Sequence, residues 1–141
     1  MVSTSPLQRK LWMLYAAGAA AFLPVFGFYY VGEEAIFPLV SLEMWHHGEW
    51  LRQIMYGQNL QHNPLFNWII ILACQLVGWE YVLAVARTVT VGATVGSGLV
   101  LAWLAGRVTG DREFAALSAV LYLMLADVVL YRGWIAYVDP L

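Results

Sequence analysis

Cysteine occurs once in this chain, at Cys74, so no internal disulfide can form and no metal site built from several thiols is encoded. Charge is also scarce. Asp, Glu, Lys and Arg together make up 11% of the residues, against roughly a quarter in an average soluble domain. There is no basic block and the formal net charge is −2, so the electrostatic footprint expected of a nucleic-acid-binding protein is missing. The chain is instead filled with apolar residues: 62% are hydrophobic, seven are Trp, and the mean hydropathy is +0.68. Polar surface this sparse cannot cover a globule of 141 residues. The composition therefore reads as an all-α integral membrane protein.

The N-terminus, "MVSTSPLQRKLWMLYAAGAAAFLPVFGFYY", has the basic start and apolar core of a signal peptide. Its apolar run is too long for a signal core and no small-x-small cleavage site stands between the end of that run and Glu33, so it reads as a retained anchor. A helix that crosses the hydrocarbon core needs about 20 apolar residues. Residues 11–31, 81–105 and 114–131 meet that need, with Pro24 tolerable in a membrane bundle. Gly92, Gly96 and Gly98 offer the second span a small-residue face for close packing. "GRVTGDRE" forms the turn before the third span, with Asp111 as the helix cap. Between Pro64 and Gly78 lies an apolar segment too short to span, which reads as re-entrant or interfacial. Three spans place Arg9, Lys10, Arg107 and Arg112 on one side, which the positive-inside rule makes cytoplasmic. Residues 32–80 then form an outer, periplasmic loop of two juxtamembrane surface helices, and "YRGWIAYVDPL" emerges on the same side. The chain stops just after Asp139-Pro140 without a tail, and is expected to be the opening part of something larger.

Polar chemistry is concentrated in the outer loop. Glu33 and Glu34 stand where the first span meets water, and Asp139 follows the third span on the same side. Paired acids at a membrane surface suit proton abstraction from a hydroxyl acceptor, or binding of a divalent cation that screens a lipid phosphate. They also suit the positive N-terminal end of the next helix, which requires no catalysis. His46 and His47 are adjacent, so on a helix they point about 100° apart and cannot share a metal unaided. Arg87 lies two turns beyond Glu80 on the same helix face, as a snorkelling anchor or as a fork for phosphate. Asp127 falls inside the third span, where it reads as pairing within the bundle, with Arg132 or Tyr131, ahead of catalysis. The Trp and Tyr at 29, 30, 45, 50, 68, 79, 81, 131, 134 and 137 cluster near the expected outer surface, and an aromatic belt explains most of them, although sugar stacking could use one or two.

Four segments appear in order: "GEEAIFPLVSLEMWHHGEW", "YGQNLQHNPLFNW", "GWEYVLAVAR" and "YRGWIAYVDPL". The series resembles the N-terminal third of the bacterial GT-C membrane glycosyltransferases related to aminoarabinose transferase and protein O-mannosyltransferase. In that family the first outer loop opens with Asp-Glu and its surface helix ends in Gly-Asp-Trp. A Pro-Pro-Leu-x-x-Trp segment follows, and a second Asp comes after the third span. Here Glu33-Glu34, Gly48-Glu49-Trp50, Pro64-Leu65 with Trp68, and Asp139 hold those positions. Glu33 stands in place of the usual catalytic Asp, one methylene longer, and His62 stands where a phosphate-binding Lys is common. The resemblance implies transfer of a sugar from a polyprenyl-phosphate carrier to a periplasmic acceptor at the bacterial inner membrane, with inversion at the anomeric carbon. It implies Glu33, Glu34 and Asp139 as the catalytic acids, with His62 and Arg87 toward the carrier phosphate. It defines no cofactor, and 141 residues would be only part of such an enzyme. The competing reading is a small non-enzymatic membrane subunit that assembles through its Gly-rich second span.

Overall fold

The computed structural model describes residues 5–29, 31, 34–60, 64–125, 128 and 133. The chain is mostly helical and divides into two compact units, residues 1–26 with 91–134 and residues 27–90 with 135–141.

In the first unit, α1 (Pro6–Ala20) begins at a cap built by Ser5, whose Oγ accepts the Gln8 N–H at 3.0 Å while Pro6 supplies a preset first turn. The Ser5 hydroxyl in turn donates to Glu113 Oε1 at 2.5 Å. The α-helix stops at Ala20 because Pro24 lacks an N–H and its ring would clash with the carbonyl four residues earlier. A 3₁₀ segment, Leu23–Gly27, carries the chain on. Helix α4 (Val82–Thr109) ends at Gly110, where φ is +68°, and α5 (Arg112–Leu123) starts at once. Asp111 Oδ1 caps α5 by accepting the N–H groups of Glu113 and Phe114 at 2.8 and 3.1 Å. Tyr15, Phe22, Ala102, Ala119, Val120 and Leu123 form this unit's core. The Tyr15 hydroxyl donates to the Val95 carbonyl, and a Cβ at Gly98 would lie 2.5 Å from that hydroxyl. Gly98 is therefore a close-packing glycine inside the unit, whereas added Cβ atoms at Gly92 or Gly96 would meet nothing within 4 Å.

The second unit holds α2 (Ile36–His47), a hairpin of β1 (Gln53–Met55) and β2 (Gln58–Leu60), α3 (Leu65–Val77) and the first turns of α4. Helix α2 buries Phe37, Val40, Ser41 and Met44, an i, i+3, i+4, i+7 face. It ends at Gly48, with φ +66° and the Glu49 N–H returning to the Met44 carbonyl at 3.0 Å. The hairpin pairs Gln53 with Leu60, Ile54 with Asn59 and Met55 with Gln58. Its two-residue turn sets both Tyr56 and Gly57 at positive φ (51° and 77°), the twist that joins antiparallel strands without splaying them. Helix α3 opens on Pro64 and stops at Gly78, where φ is +104° and a Cβ would collide with the Glu80 carboxylate. Its buried face (Phe66, Asn67, Ile70, Ile71, Cys74) packs on Phe37 of α2 and on Val85 and Ala86 of α4. Phe37 and Phe66 meet edge to face at 5.5 Å.

Two helical stretches are long and apolar enough to cross a membrane, Pro6–Gly27 and Trp79–Thr109. They correspond to the first two expected spans. Of the expected third, 114–131, helix is described to Leu123; residues 126, 127 and 129–132 lie outside the described residues. The two helices expected within residues 32–80 are α2 and α3, and the hairpin between them is an addition to that expectation.

Candidate functional site: a buried Glu34–Arg87 pair

Glu34 sits just ahead of α2, and its carboxylate bends back toward the chain that leaves the first apolar stretch. Its Oε2 accepts the Val31 N–H at 3.2 Å, and its own N–H donates to the Val31 carbonyl at 3.2 Å. Arg87 reaches the same point from the second turn of α4. Its Nε donates to Glu34 Oε1 and its Nη2 to Oε2, both at 2.7 Å, a side-on fork with two parallel bonds. The guanidinium also donates to two backbone carbonyls, Nη1 to Phe28 at 2.7 Å and Nη2 to Tyr29 at 2.9 Å. Both side chains are buried, at 0% and 1% exposure.

Desolvating two charges is costly unless geometry is good and the remaining donors are satisfied, and here both conditions hold. The sequence points to Glu80 as a same-face neighbour of Arg87, but the partner is Glu34, more than fifty residues away. No period or motif on a single helix signals such a pair. A phosphate approaching Arg87 would have to displace Glu34. The arrangement makes Arg87 and Glu34 a clamp that ties the backbone at Phe28, Tyr29 and Val31 and the start of α2 to α4.

A second polar cluster lies under the same unit and leaves no signature in the sequence beyond an Asn within an apolar run. Asn67 Oδ1 accepts from Gln53 Nε2 at 2.5 Å, and its Nδ2 donates to Ser41 Oγ at 2.9 Å and to the Phe37 carbonyl at 3.2 Å. The Ser41 hydroxyl donates to the same carbonyl at 2.8 Å. Gln53, Asn67 and Ser41 are all buried, so this network ties β1, α3 and α2 in one register. Two segments that carry the family resemblance also meet here, since Trp68 Nε1 donates to the Trp50 carbonyl at 2.6 Å. Trp50 packs edge to face on Trp45 at 6.2 Å, and both indoles are exposed.

Of the five residues expected to form the site, the structure brings Glu34 and Arg87 together. Glu33, His62 and Asp139 lie outside the described residues, as does Asp127. His46 and His47 are exposed at the end of α2. Among the described residues no three His, Cys, Asp or Glu side chains converge as a metal site. Cys74 is buried; burial first, and the Glu80 charge second, push its thiol pKa up, which makes it inert packing. No family model, curated protein or solved structure matches this chain.

Proposed function

We propose that this chain is the N-terminal portion of an inverting membrane glycosyltransferase that moves a sugar from a polyprenyl-phosphate carrier to an acceptor on the periplasmic face. The observation that carries the reading is the Glu34–Arg87 pair, buried where the first apolar stretch gives way to the outer loop. An enzyme working at a lipid surface has to hold its acid at a fixed height, and a clamp between the loop and a membrane-crossing helix supplies that. In this scheme Glu33, adjacent in sequence, is the general base that takes the acceptor hydroxyl proton. Glu34 and Asp139 shape and polarise the site. His62 is assigned to the carrier phosphate, and a divalent cation, if one takes part, would be held by the acids. Arg87 contributes by positioning Glu34.

The test is consumption of donor. Membranes containing the full reading frame that includes this chain are incubated with polyprenyl-phosphate-linked sugars, and release of free polyprenyl phosphate is measured. Acceptor-dependent release supports the reading, and no release across a panel of carrier-linked sugars overturns it. The alternative, a non-enzymatic subunit assembling through α4, draws on the open space beside Gly92 and Gly96. Under that alternative Gly96→Leu abolishes a co-purifying assembly and no carrier-linked sugar is consumed.

A further inference from the structure

The turn between α4 and α5 is only Gly110 and Asp111, so the two helices leave it as antiparallel neighbours. Small residues let them approach near the turn, where a Cβ at Gly106 would lie 3.3 Å from that of Ala115. Beside that contact, Leu101 and Ala105 of α4 and Phe114, Leu121 and Leu125 line an apolar groove of about 400 Å³ along the seam. The Ser118 hydroxyl within it donates to the Phe114 carbonyl at 2.8 Å, so it presents no free donor to an apolar ligand.

A polar cavity of about 470 Å³ adjoins the groove at the turn, lined by Ser5, Gln8, Thr109, Asp111, Arg112 and Glu113. Thr109 stands one helical turn from Ala105 of the groove. Several polar atoms of the cavity are committed. Asp111 Oδ1 caps α5, Ser5 donates to Glu113 Oε1, and the Thr109 hydroxyl donates to the Ala105 carbonyl while accepting the Asp111 N–H. The second carboxylate oxygens of Asp111 and Glu113 remain, with the Gln8 amide and the Arg112 guanidinium. Among the described residues Arg112 has no carboxylate within ion-pair distance.

Three features select the ligand. First, the cavity offers both signs of charge. A lone anion would meet two carboxylates against one guanidinium, and such like-charge juxtaposition is costly. A trimethylammonium group cannot donate a hydrogen bond to those carboxylates, whereas a primary ammonium donates three. Second, Pro6–Gly27 and Trp79–Thr109 are long and apolar enough to cross a membrane, and Ser5 and Thr109, at the ends of the two stretches, both line the cavity. That is the level at which crossing helices meet headgroups. Third, the groove runs about 16 Å from Phe114 to Leu125 at the helical rise, against about 15 Å for the hydrocarbon of one leaflet. A further membrane-crossing helix seated there would need about twice that length.

We propose that the α4–α5 seam holds one phospholipid of the phosphatidylethanolamine class, with its phosphate at Arg112 and Gln8, its primary ammonium at Asp111 and Glu113, and one acyl chain in the groove. The inference rests on the membrane-crossing reading of the two apolar stretches and is independent of sugar transfer.

The test is native mass spectrometry of the purified protein in mild detergent, with dioleoyl phosphatidylethanolamine, phosphatidylglycerol or phosphatidylcholine added in turn. One phosphatidylethanolamine should be retained per chain, about tenfold more tightly than either other lipid, the worth of one hydrogen bond to a charged group. Arg112→Gln and Glu113→Gln should each remove that preference, the second while keeping an acceptor for Ser5. Ala105→Leu, which fills the groove, should weaken retention of all three lipids alike. Equal retention of the three headgroups by the wild type, or none, overturns the proposal without recourse to any variant. Tighter retention of phosphatidylglycerol would overturn it in favour of the exposed cations Arg9 and Lys10, and so would a preference unchanged in both Gln variants. A chain that stays monodisperse without detergent would overturn it earlier, by removing the membrane-crossing reading itself.

Discussion

Removing one partner of the Glu34–Arg87 pair should cost far more than removing both. Glu34→Gln presents an amide NH₂ to a guanidinium that needs an acceptor, and it leaves the Arg87 charge buried at 1% exposure. Arg87→Met leaves a carboxylate at 0% exposure and withdraws the donors to the Phe28 and Tyr29 carbonyls. Breaking a buried pair in this way costs about 3–5 kcal/mol. In Glu34→Leu/Arg87→Met no charge remains. Only the Phe28 and Tyr29 carbonyls lose donors. The double variant should therefore be more stable than either single variant, with a coupling energy of about 2–4 kcal/mol. Exchanging the charges, Glu34→Arg with Arg87→Glu, should not restore stability, because a carboxylate would then face those carbonyls. The assay is unfolding in detergent micelles, followed as loss of monodisperse protein with temperature or added SDS. Additive single effects, or rescue by the charge exchange, would refute the clamp.

Three further outcomes follow from the same structure. Asn67→Leu should destabilise the protein by about 2–4 kcal/mol in the same unfolding assay, since Gln53 and Ser41 lose buried partners at about 1–3 kcal/mol each. The raised pKa of Cys74 keeps its thiolate scarce, so maleimide labelling should be slow in folded protein and fast in SDS. Above pH 8 the folded-state rate should still climb about tenfold per pH unit and not level off before pH 9, as stopped-time mass spectrometry would record. In intact cells, a cysteine at Gln58 should react with a membrane-impermeant reagent and one at Thr109 should not; the reverse pattern would invert the topology.

Legibility in the sequence differed between the two units for a physical reason. Long apolar runs announce helices whatever their surroundings, so the stretches over Pro6–Gly27 and Trp79–Thr109 were readable from hydropathy alone. Pro64 and Gly78 bracketed α3 because one cannot continue a helix backward and the other ends it. The hairpin was harder, since three-residue strands carry little alternation and Tyr56 hides a positive-φ turn in which only Gly57 is a conventional signal. The ion pair was illegible because it is made by residues from separate elements, brought together only when α4 packs. A similar limit applies to Asn67, whose partners come from α2 and β1. The acids that follow the first apolar stretch could be read, but which of them is tied to a cation could not.

The central claim is that Glu33, and not its clamped neighbour, performs the proton transfer. Turnover of a carrier-linked donor by the full reading frame, compared between wild type, Glu33→Gln and Glu33→Asp, tests it most directly. Glu33→Gln keeps size and hydrogen bonding but cannot accept a proton, so turnover should fall about 10²–10⁴-fold with unfolding in micelles unchanged. Glu33→Asp should retain activity. Near-normal turnover in Glu33→Gln would contradict the account and remove acid–base chemistry from this position.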